Sequence, residues 1–143
     1  MVDVTFRTVT WDERTTVRGL VKRCGEFVST YDQVRGLHAL YDKGGVTLVE
    51  VGGVPAGFSV VAHNVARPWS TIHEIGVAPE FQSQGIGNQF IGYLIGRSPH
   101  HCLHLVCDQR NEAGLRFYLN LGFKALGVRP NRAGDCIVDM ALG

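Results

Sequence analysis

The chain has 143 residues, 45% of them hydrophobic and 19% charged, which is the size and composition of one globular domain with a sizeable core. Fourteen Lys and Arg oppose thirteen Asp and Glu for a formal net charge of +1, and the two halves match, so overall charge gives no argument for a nucleic-acid or membrane partner, although a local patch could still form in three dimensions. No apolar run nears the ~18 to 20 residues of a membrane span, and 18 glycines beside only 5 prolines mark tight connections rather than disorder.

Taken in chain order, residues 2–10 alternate like a strand and carry no signal-peptide pattern, from which a cytoplasmic setting with Cys24, Cys102, Cys107 and Cys136 as reduced thiols is expected. Residues 11–41 switch to helical spacing, with Val17, Leu20, Val21 and Cys24 and then Val34, Leu37, Leu40 and Tyr41, and predict two short helices broken near 25–30. Residues 46–51 and 54–65 flank Gly52-Gly53 and predict a hairpin. A fourth strand over 70–77 ends at Pro79. Ile86, Phe90, Ile91, Leu94 and Ile95 predict a helix stopped by Gly96 and Pro99. A strand over 102–107, a helix over 111–121 closed by Gly122, and strands over 123–128 and 136–142 complete the order β α α β β β α β α β β. That order is α/β, a mixed β-sheet flanked by helices in a single domain over 1–143.

The stretch from Ile75 to Asn88 runs from a buried strand through a turn into a helix whose first residues include Gly85 and Gly87. A helix start offers unpaired N–H groups and the positive end of the dipole, and glycines there let a phosphate approach the backbone without Cβ atoms in the way. Glycines that shape a turn or admit close helix packing explain a bare Gly-x-Gly equally well. No Walker lysine and no third glycine follow, so neither a P-loop nor a dinucleotide fingerprint fits.

Two motifs resemble the GCN5-related N-acetyltransferase (GNAT) family. Gln82-Ser83-Gln84-Gly85-Ile86-Gly87, after an apolar strand and a Val-x-Pro turn, is similar to the family's pyrophosphate loop, and Asn111 to Tyr118 followed by Leu121-Gly122-Phe123 is similar to its second motif. The resemblance in element order covers nearly the whole chain. It implies a GNAT-like fold and acetyl-CoA as acyl donor. It also implies that Val77 meets the pantetheine arm where the fourth strand leaves the fifth, that Gln82, Ser83, Gln84, Gly85, Ile86, Gly87 and Asn88 hold the pyrophosphate, chiefly through main-chain N–H groups, and that Asn111 touches the pantetheine side. Tyr118 matches the family's general acid. Ser83 stands where the family commonly has glycine, and a positive φ there would strain the loop.

Acetyl transfer to an amine needs a neutral nucleophile, a polarised carbonyl and a proton for the departing thiolate. Glu74 is the candidate base and His73 its rival; on a regular strand only one of these neighbours faces the cleft unless a bulge intervenes. Tyr118 is also readable as a core aromatic, and Glu74 as an ion-pair partner across the sheet. The run from His100 to His104 lacks a Cys-x-x-Cys partner and predicts no metal site. Trp69 in its turn, and Tyr31 and Asp32 between the first helices, are candidates for the acceptor pocket.

Three functions stay open. The first is an N-acetyltransferase acting on a small-molecule or peptide amine. The second is a relative that acylates a nucleic-acid base, which the near-zero charge disfavours. The third is a module that binds acyl-CoA without turnover. No membrane partner is expected, and the C-terminal strands could present an edge for a homodimer.

Overall fold

The computed structural model describes residues 3–24, 31–32, 34–63 and 67–143. Seven strands form one sheet: β1 (Val4–Thr8), β2 (Val46–Val51), β3 (Val54–Ala62), β4 (Ser70–Val77), β5 (Leu103–Asp108), β6 (Lys124–Pro130) and β7 (Cys136–Leu142). Their spatial order is β1-β2-β3-β4-β5-β7-β6. All pairs are antiparallel except β4 with β5. The parallel pair needs a crossover, which α3 (Ile86–Arg97) supplies. The remaining helices are α1 (Arg14–Cys24), α2 (Leu37–Asp42) and α4 (Glu112–Asn120).

The sheet's two faces bury two cores. On one, Ile86, Phe90, Ile91 and Leu94 of α3 pack with Val49, Val61, Ile72, Ile75, Leu105 and Met140, and α4 adds Leu115 and Tyr118. On the other, Val17, Leu20 and Val21 of α1 and Tyr41 of α2 pack with Val46, Leu48, Phe58 and Val60. This sandwiching explains why β2 and β3 read as nearly continuous apolar runs. Each fully buried aliphatic or aromatic side chain contributes about 1.5–3 kcal/mol.

Helices α1 and α2 rest on β3 and β4. Beyond β4 that face carries His104 and Val106 of β5, Asp139 of β7 and Arg129 of β6, which alternate with residues of the α3 and α4 core. β6 is an edge strand with every residue exposed.

The predicted order of elements matches throughout. The first helix begins later than predicted because Trp11–Glu13 form a 3-10 turn, after which Arg14 starts α1. β1 is shorter than 2–10, since Val9 leaves the ladder while its amide still bonds the carbonyl of Val46 at 3.0 Å. The predicted break at 25–30 lies outside the described residues. No helix among the described residues is long and apolar enough to cross a membrane.

Candidate active site

The cleft begins where two strands part. β4 and β5 pair at Ser70 with Leu103, Thr71 with His104 and Ile72 with Leu105, and the ladder then stops although β4 continues to Val77 and β5 to Asp108. A cleft of about 640 Å³ opens between the diverging ends, bounded by the start of α3 and by α4. That volume lies within the range of small-molecule and cofactor sites, about 300–1,000 Å³.

The turn at its mouth is held by its own side chains. Gln82 donates its amide Nε2 to the carbonyl of Val77 at 3.0 Å, and Gln84 donates to the carbonyl of Glu80 at 3.2 Å. Gln84 therefore turns away and does not line the cleft, whereas Val77, Gln82, Ser83, Gly85, Gly87 and Asn88 do. Ile86 lines it too, but its side chain is buried in the core, which leaves its backbone as the group near the opening. Ser83 has φ +63° and Gly85 φ +77°. Serine thus occupies the left-handed region where a residue without Cβ would be unstrained.

Gly87 has a packing role as well. A Cβ at this position would lie 2.9 Å from the ring of Phe117, so glycine lets α4 close against the first turn of α3. Asn111 caps α4, its Oδ1 accepting from the amide of Gly114 at 2.9 Å, and it lines the cleft from that capped position.

Tyr118 comes from α4 and stands against Phe117 and Phe123 with its ring in the cleft wall. Burial, and then the nearby Cys107 and Glu74, push its phenol pKa upward, so it is protonated at neutral pH. The Cys107 thiol beneath it is likewise pushed up to about 11, mainly by burial.

His73 and Glu74 both line the cleft. The register explains this: Val60 pairs with Glu74 and Val61 with Ile72, which leaves His73 as the extra residue of a β-bulge. Strict alternation, which would have allowed only one of the two, is broken at this residue. Glu74 is buried at 7% exposure. His73 is exposed on one side, and burial of the rest of its ring holds its pKa below the usual 6.5, so its imidazole is neutral at pH 7.

Other sequence candidates fall elsewhere. Tyr31 is buried in the α1 and α2 core with its hydroxyl bonded to that of Tyr41, and Asp32 pairs with Arg18 at 3.1 Å on the surface. Trp69 stacks on His104 at the far end of β4, outside the cleft. Among the described residues no group of three His, Cys, Asp or Glu is arranged to hold a metal ion. Sequence reasoning missed Cys24, Phe81 and Phe117, all in the cleft wall. Cys24 is fifty residues from Glu74, and nothing local in the sequence signals that both line one cleft.

A strand pair that parts over a helix start, with a phenol and two candidate bases in the gap, defines an acyltransferase-type α/β domain. The chain belongs to the acetyltransferase (GNAT) family, whose model matches residues 9–123. It is 33% identical over 89 residues to the 5-NmdU N-acetyltransferase of Pseudomonas phage PaMx11, a stretch that covers 62% of this chain and 64% of the phage protein. It is also 33% identical over 80 residues to N-alpha-acetyltransferase RimI of Mycobacterium tuberculosis, covering 54% of this chain and 51% of RimI. An acetyltransferase of Salmonella typhimurium solved with its cofactor acetyl-CoA shares the fold with a TM-score of 0.69 at 18% identity, over 98% of this chain and 93% of that one.

Proposed function

We propose that the chain is an acetyl-CoA-dependent N-acetyltransferase acting on a primary amine by direct transfer. The observation that carries this reading is the cleft between β4 and β5, whose wall brings together Glu74, His73, Tyr118 and the first turn of α3. The amides of that first turn have no intrahelical acceptors, and the residues beside them fit a pyrophosphate better than a bulky apolar group. Ser83, Gly85, Ile86, Gly87 and Asn88 would hold the phosphates, while Val77 and Asn111 would flank the pantetheine arm. The donor supplies an acetyl thioester.

Glu74 takes a proton from the acceptor ammonium, directly or through water, and leaves a neutral amine. The amine nitrogen forms a bond to the acetyl carbon as the carbon–sulfur bond breaks, and the second proton that the nitrogen sheds in becoming an amide passes to solvent. Tyr118 gives its phenolic proton to the departing sulfur and is reprotonated from solvent. Its raised pKa supports the acid role, because the proton is in place at neutral pH. His73 is the second candidate base, supported by its neutral ring and by the bulge that turns it toward the cleft.

The two curated relatives differ in their named acceptors, 5-NmdU in one and an α-amino group in the other. The chemistry common to a small-molecule amine, a peptide amine and an amine borne on a nucleobase is a primary aliphatic amine, and this is the acceptor class proposed. A thiol-release assay with acetyl-CoA and representatives of all three tests it. Tyr118→Phe is expected to lower turnover by about 10²-fold while acetyl-CoA affinity stays within twofold. Equal turnover of Tyr118→Phe and wild type across pH would remove Tyr118 from proton transfer.

A further inference from the structure

One wall of the cleft is closed by a contact that the transfer chemistry does not use. Among the described residues, Cys24 at the end of α1 is the one residue of α1 or α2 that lines the cleft. It lies against Gly76 of β4: a Cβ on that glycine would stand 2.8 Å from Cys24 Sγ, 3.1 Å from Cys24 Cβ and 3.2 Å from the ring of Phe58. Glycine at 76 therefore leaves a recess on the strand, and the thiol fills it. The sulfur has little room to withdraw, because Phe58 is fully buried and Cys24 is itself packed against the α1 and α2 core. Arg23 pairs with Glu80 in the turn after β4, which ties the end of α1 to that turn. Burial pushes the Cys24 thiol pKa up, against the opposing charge of Arg23, so the thiol is neutral at pH 7 and acts as a small apolar group.

The N-acetyltransferase reading sets the pantetheine arm at Val77 and the base at Glu74, three residues or about 10 Å apart along β4. The thioester carbon then lies between them, beside Ile75 and Gly76. Ile75 turns its side chain into the α3 core, and Ile72 and Leu105 of the same wall are buried in that core at 4% and 2% exposure. A close-packed core leaves no slack there for a longer acyl chain. At Gly76, the group that bounds the other side is the Cys24 thiol.

We propose that Cys24 sets the length of the acyl group: its sulfur fills the space that a third acyl carbon would need and restricts the donor to an acetyl thioester. This rests on the N-acetyltransferase reading above. No bond is made to the sulfur, which works by its size alone. A thiol sulfur is close in size to one methylene, and one surplus methylene in a closed apolar pocket is discriminated by about 10- to 200-fold.

The test is calorimetric titration of wild type, Cys24→Ala, Cys24→Ser and Cys24→Met with CoA, acetyl-CoA, propionyl-CoA and butyryl-CoA, in the absence of any acceptor. Wild type is expected to bind propionyl-CoA about tenfold or more weakly than acetyl-CoA. Cys24→Ala removes the sulfur and should shrink that ratio about tenfold, with a smaller gain for butyryl-CoA, whereas Cys24→Ser keeps the size and should keep the wild-type ratio. Because Cys24→Ala opens a gap beside Phe58 and costs stability, Cys24→Met gives an independent reading: it should weaken acetyl-CoA relative to CoA by about tenfold. Equal binding of acetyl-CoA and propionyl-CoA by wild type, a propionyl-to-acetyl ratio that does not move in Cys24→Ala or moves as far in Cys24→Ser, or an acetyl-CoA-to-CoA ratio that does not move in Cys24→Met would overturn the proposal and leave the donor site standing. Failure of wild type to bind CoA and every thioester would overturn the N-acetyltransferase reading as well.

Discussion

The two ends of β4 are built by different rules. At its C-terminal end, the Val77 to Asn88 turn is one short stretch of chain whose backbone shapes the cleft mouth, and it adjoins a bulge at His73 set by pairing with β3 and the parting of β4 from β5. At its N-terminal end, Trp69, His104, Asp139 and Arg129 come from four strands and meet only through sheet register. A backbone turn can be encoded locally, whereas a side-chain array drawn from four strands can change without disturbing that turn.

The largest effect separating the two ends is expected from Gly87→Trp. Since even a Cβ there meets Phe117 at 2.9 Å, an indole would fill the mouth of the cleft and abolish the stabilisation by acetyl-CoA. In wild type, ligand at a hundred times its Kd should stabilise by about 2.7 kcal/mol and raise Tm by about 5–10 °C. A Gly87→Trp protein that folds and keeps the full rise would break the assignment of this end to the donor.

Next in size are the bases. Glu74→Gln is expected to reduce kcat/KM by about 10²-fold and to remove the acidic limb of the pH–rate profile, whereas His73→Gln should cost less than tenfold and leave that limb in place. If the roles are reversed, the limb disappears with His73 instead, and at a pH below 6.5, because burial depresses its pKa. The same depression has a stability consequence. The unfolded chain takes up the His73 proton first as pH falls, so this residue's contribution to stability declines below about pH 6.5, and His73→Gln should flatten the decline in a melting series.

The smallest effect concerns Ser83. Relieving its left-handed backbone with Ser83→Gly should gain up to about 1 kcal/mol, partly offset by glycine's greater freedom in the unfolded chain, and raise Tm by about 1–3 °C. Ser83→Val should lower it. A Ser83→Gly protein that melts lower than wild type would show that the hydroxyl, rather than the backbone, matters there.

Most of the fold was legible because its signals are local: alternation in the strands, helical spacing after Gly85, the glycine pair at 52–53, and breakers at Pro79 and Gly122. The strained φ at Ser83 was foreseeable from one substitution in a glycine-rich turn. What escaped depends on pairing between distant segments. The bulge that lets both His73 and Glu74 face the cleft is set by the register of β3 against β4, which strand alternation alone does not reveal. Tyr31 looked like a pocket residue because it lies between two helices, yet its hydroxyl finds Tyr41 and its ring finds Phe58, so it went to the core. Trp69 was visible as an unusual residue in a turn, but its partner His104 lies thirty-five residues away.

The central claim is that this cleft moves an acetyl group from a thioester to an amine. The direct measurement follows, in one reaction, thiol release from acetyl-CoA and acetylation of a primary amine by mass spectrometry, with wild type and Tyr118→Phe side by side. One acetylated amine per thiol released, with Tyr118→Phe slower by about 10²-fold, is the predicted result. Acetyl-CoA binding that raises Tm without thiol release in the presence of any primary amine would contradict it and identify a binding module.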